Sequence, residues 1–295
     1  MEVAVFGWGV SHENFDALAA LLERLHAREW KVWVYDNMLQ SLRSQFGYVP
    51  SFVHPYSLRE ELPNSLDFLF SIGGDGTILD AAQYILGSNV PIVGINFGHL
   101  GFLSSIQAAA LAHIEELLES GYYAIERFPT AQAQISREGQ ILPFHYALND
   151  ITVQKSGKSM LIVNTSIDGT FLCTYWSDGV IVSTPTGSTA YSLSVGGPIV
   201  SPLAHVLLLS PISPHSLYTR SLVLADSSEI HMRVRCRDKE VPLIVGIDAQ
   251  EYQFKGTIDV RVTRSPIEVF LVRFREKNFY TALREKLGWG NDPRN

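Results

Sequence analysis

Apolar positions in the first third of the chain follow two alternating rhythms. Val3 to Phe6 is a short apolar run that predicts a buried strand. From Phe15 to Glu29, Leu18, Leu21, Leu22 and Leu25 recur at helical spacing and predict one buried helix face. Lys31 to Tyr35 predicts a second strand, rich in β-formers, and Leu66 to Ile72 a third that stops on two glycines. A helix over Thr77 to Leu86, a strand over Pro91 to Asn96 and a helix over Leu111 to Leu118 follow. Short apolar strands alternating with helices predict a mostly parallel α/β sheet.

From about Tyr122 the rhythm changes to short runs dense in Val, Ile, Thr, Phe and Tyr. They cover Tyr146 to Val153, Met160 to Ile167, Thr170 to Tyr175, Val180 to Ser183, Val206 to Leu209, Glu229 to Val234, Thr257 to Thr263 and Glu268 to Val272. Turn residues such as Ser156-Gly157-Lys158 and Asp168-Gly169 separate them. One helix is expected near Thr186 to Val195, and an amphipathic one over Asn278 to Leu287 with Phe279, Leu283 and Leu287 on a stripe. The expected architecture is an α/β domain over 1–122 and a β-rich, sandwich-like domain over 123–275. A C-terminal helix over 276–295 packs back on the first domain, making the chain α+β overall.

A length of 295 residues and 46% hydrophobic content agree with two domains and argue against disorder. A formal net charge of −7 argues against a general nucleic-acid coat. No apolar run approaches the roughly 18 residues that span a bilayer, so no membrane partner is expected. The N-terminus reads as a strand and not as a signal peptide. Two cysteines, Cys173 and Cys236, make neither a disulfide framework nor a cysteine-rich metal site. A reducing, cytoplasmic setting is expected.

Chemistry concentrates at Gly73-Gly74-Asp75-Gly76-Thr77, between an apolar strand and a helix. Three glycines in four positions let the backbone turn tightly and approach a ligand. Ligands of open α/β sheets bind at the carboxyl ends of the strands, and the helix start offers free N–H groups to a phosphate. Asp75 would repel that phosphate unless a cation intervenes or its role is to accept a proton. The alternative is a tight turn whose aspartate caps the next helix. Gly7-Trp8-Gly9 also follows a strand, but His12 replaces the third glycine of a dinucleotide fingerprint, so it reads as a loop. A Walker-type Gly-Lys-Ser/Thr loop does not occur.

A second cluster runs from Asp178 to Ser192, with six Ser or Thr residues between Ser183 and Ser192. These hydroxyls suit ribose and amide groups, or alternatively cap a helix and hold a turn. Asn149-Asp150 is a polar pair that strand propensity does not explain.

Together these stretches resemble the bacterial NAD kinase family, which transfers the ATP γ-phosphate to the 2′-hydroxyl of NAD's adenosine ribose. The matching pieces are Gly73 to Thr77, Ile95 to Leu103, Leu148-Asn149-Asp150, Asp178 to Pro198, Pro214 to Arg220 and Leu283 to Trp289. The Gly-Gly-Asp-Gly loop is shared with lipid kinases and phosphofructokinases, whereas Ser183 to Ser192 is far more specific.

The resemblance implies that Asp75 is the general base and that Gly74 and Gly76 lie close to the phosphates. It implies dinucleotide contacts at Asn149, Asp150, Asp178, Thr189, Ala190, Tyr191, Ser192, Ser194 and Gln250. It also implies ATP as donor, Mg²⁺ or another divalent cation as cofactor with no dedicated protein metal site, and a homo-oligomer, dimer or tetramer. Trp176 departs from the family, where several relatives have a basic residue, and Ala249 stands where relatives often have glycine. A carboxylate is a weak base toward a hydroxyl at neutral pH. It suffices if proton loss comes late in a loose transition state. The rival readings are a kinase of a lipid or sugar hydroxyl on the same loop and a non-catalytic NAD(H) sensor.

Nine histidines include no metal-ligand spacing. His99 reads as a solvated loop residue, His215 as a satisfied core group, Cys173 as a buried thiol, and Arg273 to Lys277 as a solvated face.

Overall fold

A computed structural model describes residues 1–98, 101–238, 240–274 and 278–290, with the side chains of 107–110 excepted. His99 and residues 275–277 of the charged run lie outside the described residues. The chain divides into two compact units, Met1–Arg127 with Val269–Asn295, and Phe128–Glu268.

In the first unit, β1 (Glu2–Phe6), α1 (His12–Ala27), β2 (Lys31–Tyr35), α2 (Asp36–Phe46) and β3 (His54–Tyr56) lead to β4 (Phe68–Ile72). Then come α3 (Asp75–Tyr84), β5 (Ile92–Asn96), β6 (Ile106–Gln107) and α4 (Ile114–Glu119). The pairs among these six strands are parallel, in the order β5-β4-β1-β2-β3, with β6 beside β5. All five residues of β4 are buried, as a strand covered on both faces requires. Leu18, Leu21, Leu22 and Leu25 of α1 are fully buried against this sheet's core. The helix starts at His12, three residues before the expected Phe15, because its first turn is polar and carries no part of the apolar stripe.

In the second unit the strands are almost all antiparallel. They are β7 (Ala124–Arg137, in this unit from Phe128), β8 (Gln140–Ile141), β9 (His145–Ala147), β10 (Asp150–Lys155), β11 (Leu161–Ile167), β12 (Thr170–Ser177) and β13 (Gly179–Ser183). The expected helix at Thr186 to Val195 is instead a 3₁₀ turn over Thr186–Thr189 followed by α5, a single turn (Tyr191–Ser194). After it run β14 (Val206–Ile212), β15 (Leu222–Ala225), β16 (Ile230–Cys236), β17 (Leu243–Ile247), β18 (Gln250–Phe254) and β19 (Ile258–Arg273, in this unit to Glu268). One sheet has the order β15-β14-β13-β10-β17-β18, and the other contains β12-β11-β16-β19. Their inner faces form one core, with Val163 and Val234 from one sheet and Val180 and Val245 from the other. β16 shows the period-2 logic: Ile230, Met232, Val234 and Cys236 point inward while Arg233 and Arg235 are exposed. The fold is therefore an α/β domain with a parallel sheet and an antiparallel β-sandwich.

The chain ends in the first unit. Leu271 pairs with Ile92 of β5, and α6 (Phe279–Leu287) follows. The Asn278 side chain caps α6 by accepting from the Tyr280 and Thr281 amides, and Gly288 closes it at φ +60°.

Candidate active site

β4 delivers the backbone to Gly73, whose φ is +151°. A β-carbon there would lie 2.2 Å from Thr77 Oγ1, so only glycine makes this turn. Nothing lies within 4 Å of where a Gly76 side chain would start, and Gly74 meets only Asn96 Nδ2 at 3.9 Å. The loop thus leaves room beside both glycines.

Asp75 is the first residue of α3, but its carboxylate does not turn back to cap the helix. It reaches the segment after β5, where Oδ2 accepts from the Phe102 amide at 2.8 Å. Oδ1 accepts from Leu103 at 3.2 Å and Ser104 at 3.4 Å. The capping alternative for the glycine loop is excluded by this geometry. Gly101 makes the approach possible, since a β-carbon there would stand 1.7 Å from Asp75 Oδ1. Lys286 of α6 places Nζ 3.5 Å from Asp75 Oδ2 and 5.0 Å from the centre of the Phe102 ring.

Arg273 braces the same segment from its other side. Its guanidinium donates to the carbonyls of Phe102 at 3.1 Å and Leu103 at 2.8 Å, and pairs with Glu126 at 3.1 Å. The side chain is 14% exposed, so the reading of Arg273 as a solvated face is corrected. Burial lowers its pKa from the usual arginine value, against the opposing pull of Glu126 and Asp75. The apparent charge run hides one buried member because its acceptors are backbone carbonyls from a distant part of the chain.

In the second unit a different carboxylate organises the polar pair. Asp248, at φ +49° in the β17–β18 turn, accepts the amides of Leu148 and Asn149 at 2.8 Å and of Asp150 at 3.1 Å. The Thr184 amide donates to the Asn149 carbonyl at 2.9 Å. A β-carbon on Gly187 would stand 2.2 Å from that carbonyl oxygen, so the turn closes only on glycine. Asn149 and Asp150 are thereby brought beside the hydroxyl-rich turn. Asp150 is buried, and burial, followed by the Asp248 charge, pushes its pKa up to about 7.

Within the turn, Thr189 Oγ1 donates to the Thr186 carbonyl at 3.2 Å and the Ala190 amide to Gly187 at 2.9 Å. Ser192 is buried against Ser210, 3.3 Å between hydroxyls, while Tyr191 and Ser194 are exposed. The Thr186 hydroxyl is buried with no partner among the described residues. Gln250 is exposed and accepts from Tyr252 Oη at 2.7 Å, next to the Asp248 turn. Asp178 is not brought to this group. It pairs with Lys155 at the opposite end of the β10–β13 ladder, where Asp150 faces Ser183 and Gln154 faces Gly179. Six residues of strand put it about 20 Å from Thr184. His215, expected in the core, is exposed beside half-exposed Trp176 in a cavity of about 360 Å³, and Cys173 is only partly buried.

The ATP-NAD kinase N-terminal domain matches residues 12–123, and the ATP-NAD kinase C-terminal domain matches 148–274. An NAD kinase of Christiangramia forsetii is 38% identical over 297 aligned positions, covering 100% of both chains. The chain belongs to the NAD kinase family. Another NAD kinase, of Heliobacterium modesticaldum, is 39% identical over 82% of this chain and 86% of its own. Among solved structures, an NAD kinase from Archaeoglobus fulgidus in complex with ATP has a TM-score of 0.69 and 26% identity, covering 98% of both chains. A yeast NADH kinase complexed with NADH has a TM-score of 0.89 at 24% identity, over 99% of this chain and 88% of that one, and shows the fold alone. For an NAD kinase, the residues that sequence reasoning passed over are Arg273, Lys286, Asp248 and Lys155. Lys286 lies inside the matching piece Leu283 to Trp289, which assigns it no role, and Asp248 lies two residues before the expected contact Gln250.

Proposed function

We infer that this chain is an ATP-dependent NAD kinase, converting NAD to NADP. The observation that carries the reading is full-length similarity to NAD kinases, with the two family domains matching in order. A lipid or sugar kinase would share the glycine loop but not the hydroxyl-rich cluster from Thr186 to Ser192, and a sensor would not need Asp75. In the reaction the 2′-hydroxyl oxygen of the adenosine ribose attacks the γ-phosphorus. An O–P bond forms, the bond to the β-phosphate oxygen breaks, ADP leaves with the electron pair, and the hydroxyl proton passes to Asp75.

Asp75 serves as the general base, a role worth about 10²–10⁴-fold. Its support is the amide clip at Phe102–Ser104, which fixes the carboxylate at the mouth of the glycine turn. Gly74 and Gly76 let phosphate oxygens approach the start of α3. Asn149, Asp150, Thr189, Ala190, Tyr191, Ser192, Ser194 and Gln250 form the dinucleotide wall. Asp178, distant from them along the ladder, would meet the same dinucleotide from a second copy of the chain. That separation and the exposed Trp176, Leu217 and Tyr218 support a dimer or tetramer.

No three acidic, His or Cys side chains cluster among the described residues, and the Asp75 oxygens already take backbone hydrogens. The described residues therefore offer no ready-made magnesium cage. A divalent cation such as Mg²⁺, bound through the phosphates, would supply neutralisation of the triphosphate charge. We place the activity in the cytoplasm, where it supplies NADP. Incubating the protein with labelled ATP and, separately, NAD, diacylglycerol and fructose phosphate tests the reading. Label should appear in NADP alone; transfer to another acceptor, or NAD binding without turnover, would refute it.

A further inference from the structure

An ionised carboxylate offers about four good acceptor positions. In this structure Asp75 has four donors: the amides of Phe102, Leu103 and Ser104, and the Lys286 ammonium. The three amides are fixed by the backbone of one short segment, which Arg273 braces through its carbonyls. Lys286 is the weakest of the four at 3.5 Å, and its side chain is one-third exposed. A carboxylate in this state cannot accept a hydroxyl hydrogen until a donor leaves, and only the lysine can leave without unfolding a loop.

A long flexible ammonium is a mobile point charge, and a triphosphate is a stronger anion than the carboxylate it would leave. Lys286 is anchored for such a movement. Its nitrogen rests over the Phe102 ring, and Phe279, at the other end of α6, packs against the same ring with centroids 6.1 Å apart. The ammonium is therefore held next to Asp75, the group that takes the hydroxyl proton in the reaction above.

We propose that Lys286 is a further catalytic residue, which covers Asp75 in the free enzyme and moves to the oxygens of the transferred phosphoryl group when the ribose hydroxyl takes its place. This inference rests on the NAD kinase reading with Asp75 as base. Ground-state ATP gains little, because the lysine exchanges one anion for another. The transition state gains a cation where charge gathers on the equatorial oxygens, an interaction of the kind whose removal costs about 10²–10³ in kcat.

The test compares the full chain with its Lys286→Gln, Lys286→Met and Lys286→Arg variants, assayed with magnesium, ATP and NAD for NADP. Methionine keeps the apolar stem over Phe102 and serves if the glutamine variant melts early. Expected is a kcat loss on the order of 10²-fold in the neutral variants. KM for ATP and NAD should change by less than about threefold, and arginine should recover most of kcat. A neutral variant with parental kcat, an effect confined to KM, or a loss that arginine does not recover would overturn the role of Lys286 while leaving the NAD kinase reading intact. A parent chain that makes no NADP would instead overturn that reading.

Discussion

Arg273 and Asp75 hold opposite edges of one short peptide segment. The guanidinium donates to the Phe102 and Leu103 carbonyls, and the carboxylate accepts from the Phe102, Leu103 and Ser104 amides. The Phe102–Leu103 and Leu103–Ser104 peptide units are polarised from both ends, and the segment that holds the acidic group is braced by a basic one almost two hundred residues along the chain.

Replacing Arg273 by methionine removes its donors from the part-buried Phe102 and Leu103 carbonyls, a loss of about 1–3 kcal/mol for each group that stays dry. We expect a fall of about 2–4 kcal/mol in unfolding free energy by urea titration, together with at least tenfold lower kcat. Arg273→Lys should lie between, because one ammonium cannot reproduce the fork. Parental stability in the methionine variant would show that the carbonyls are hydrated.

Gly101 has no room for a methyl group, with Asp75 Oδ1 at 1.7 Å from its would-be β-carbon. Gly101→Ala should displace the carboxylate and lower kcat about 10²-fold, while circular dichroism and NAD affinity stay near parental. Full activity would mean that Asp75 works from a different rotamer.

Much of the fold is legible in residue pattern. The α1 leucine stripe, the strand over Lys31 to Tyr35 and the Gly73 turn follow from local spacing or backbone sterics. Strand β7 does not, because its run from Ala124 to Arg137 contains Pro129 and many polar residues and derives its pairing from partners across the sheet. Tyr146 to Val153 reads as one strand but is two, because the Asp248 clip interrupts it at Leu148 and Asn149. The same reason hides the polar supports of the site. Asp75 and its amides are separated by 27 to 29 positions, Asp248 and its amides by 98 to 100, and no local rhythm encodes either. His215 misleads in the opposite sense: apolar neighbours in sequence did not bury it.

Asp248→Ala removes the acceptor for three amides and frees the Leu148–Asp150 turn. KM for NAD should rise at least tenfold, with a smaller change in kcat, in steady-state assays that vary NAD at saturating ATP. An unchanged KM would separate the Asn149–Asp150 pair from dinucleotide binding.

Asp150 gives a pH signature. Its folded pKa of about 7 lies above the ordinary value of 3.8, so the folded state keeps a proton that the unfolded state releases. Stability is then lost progressively as pH rises from about 4 to 7, and the penalty stays constant above that. Asp150→Asn, which cannot ionise, should gain melting temperature relative to the parent across that window and plateau beyond it. A gain of at least about 2 °C at pH 7 is expected, one pKa unit being worth about 1.4 kcal/mol. A difference independent of pH would contradict a buried, protonated Asp150.

The most direct measurement is the turnover of Asp75→Asn, with NAD binding followed separately by calorimetry. Asparagine keeps the size of the side chain and one acceptor oxygen for the Leu103 and Ser104 amides, gives up the acceptor for Phe102, and cannot take a proton from the ribose hydroxyl. NAD affinity should stay within about threefold of the parent while kcat falls by about 10²–10⁴. Near-parental turnover in this variant would show that another group, or none, accepts the proton.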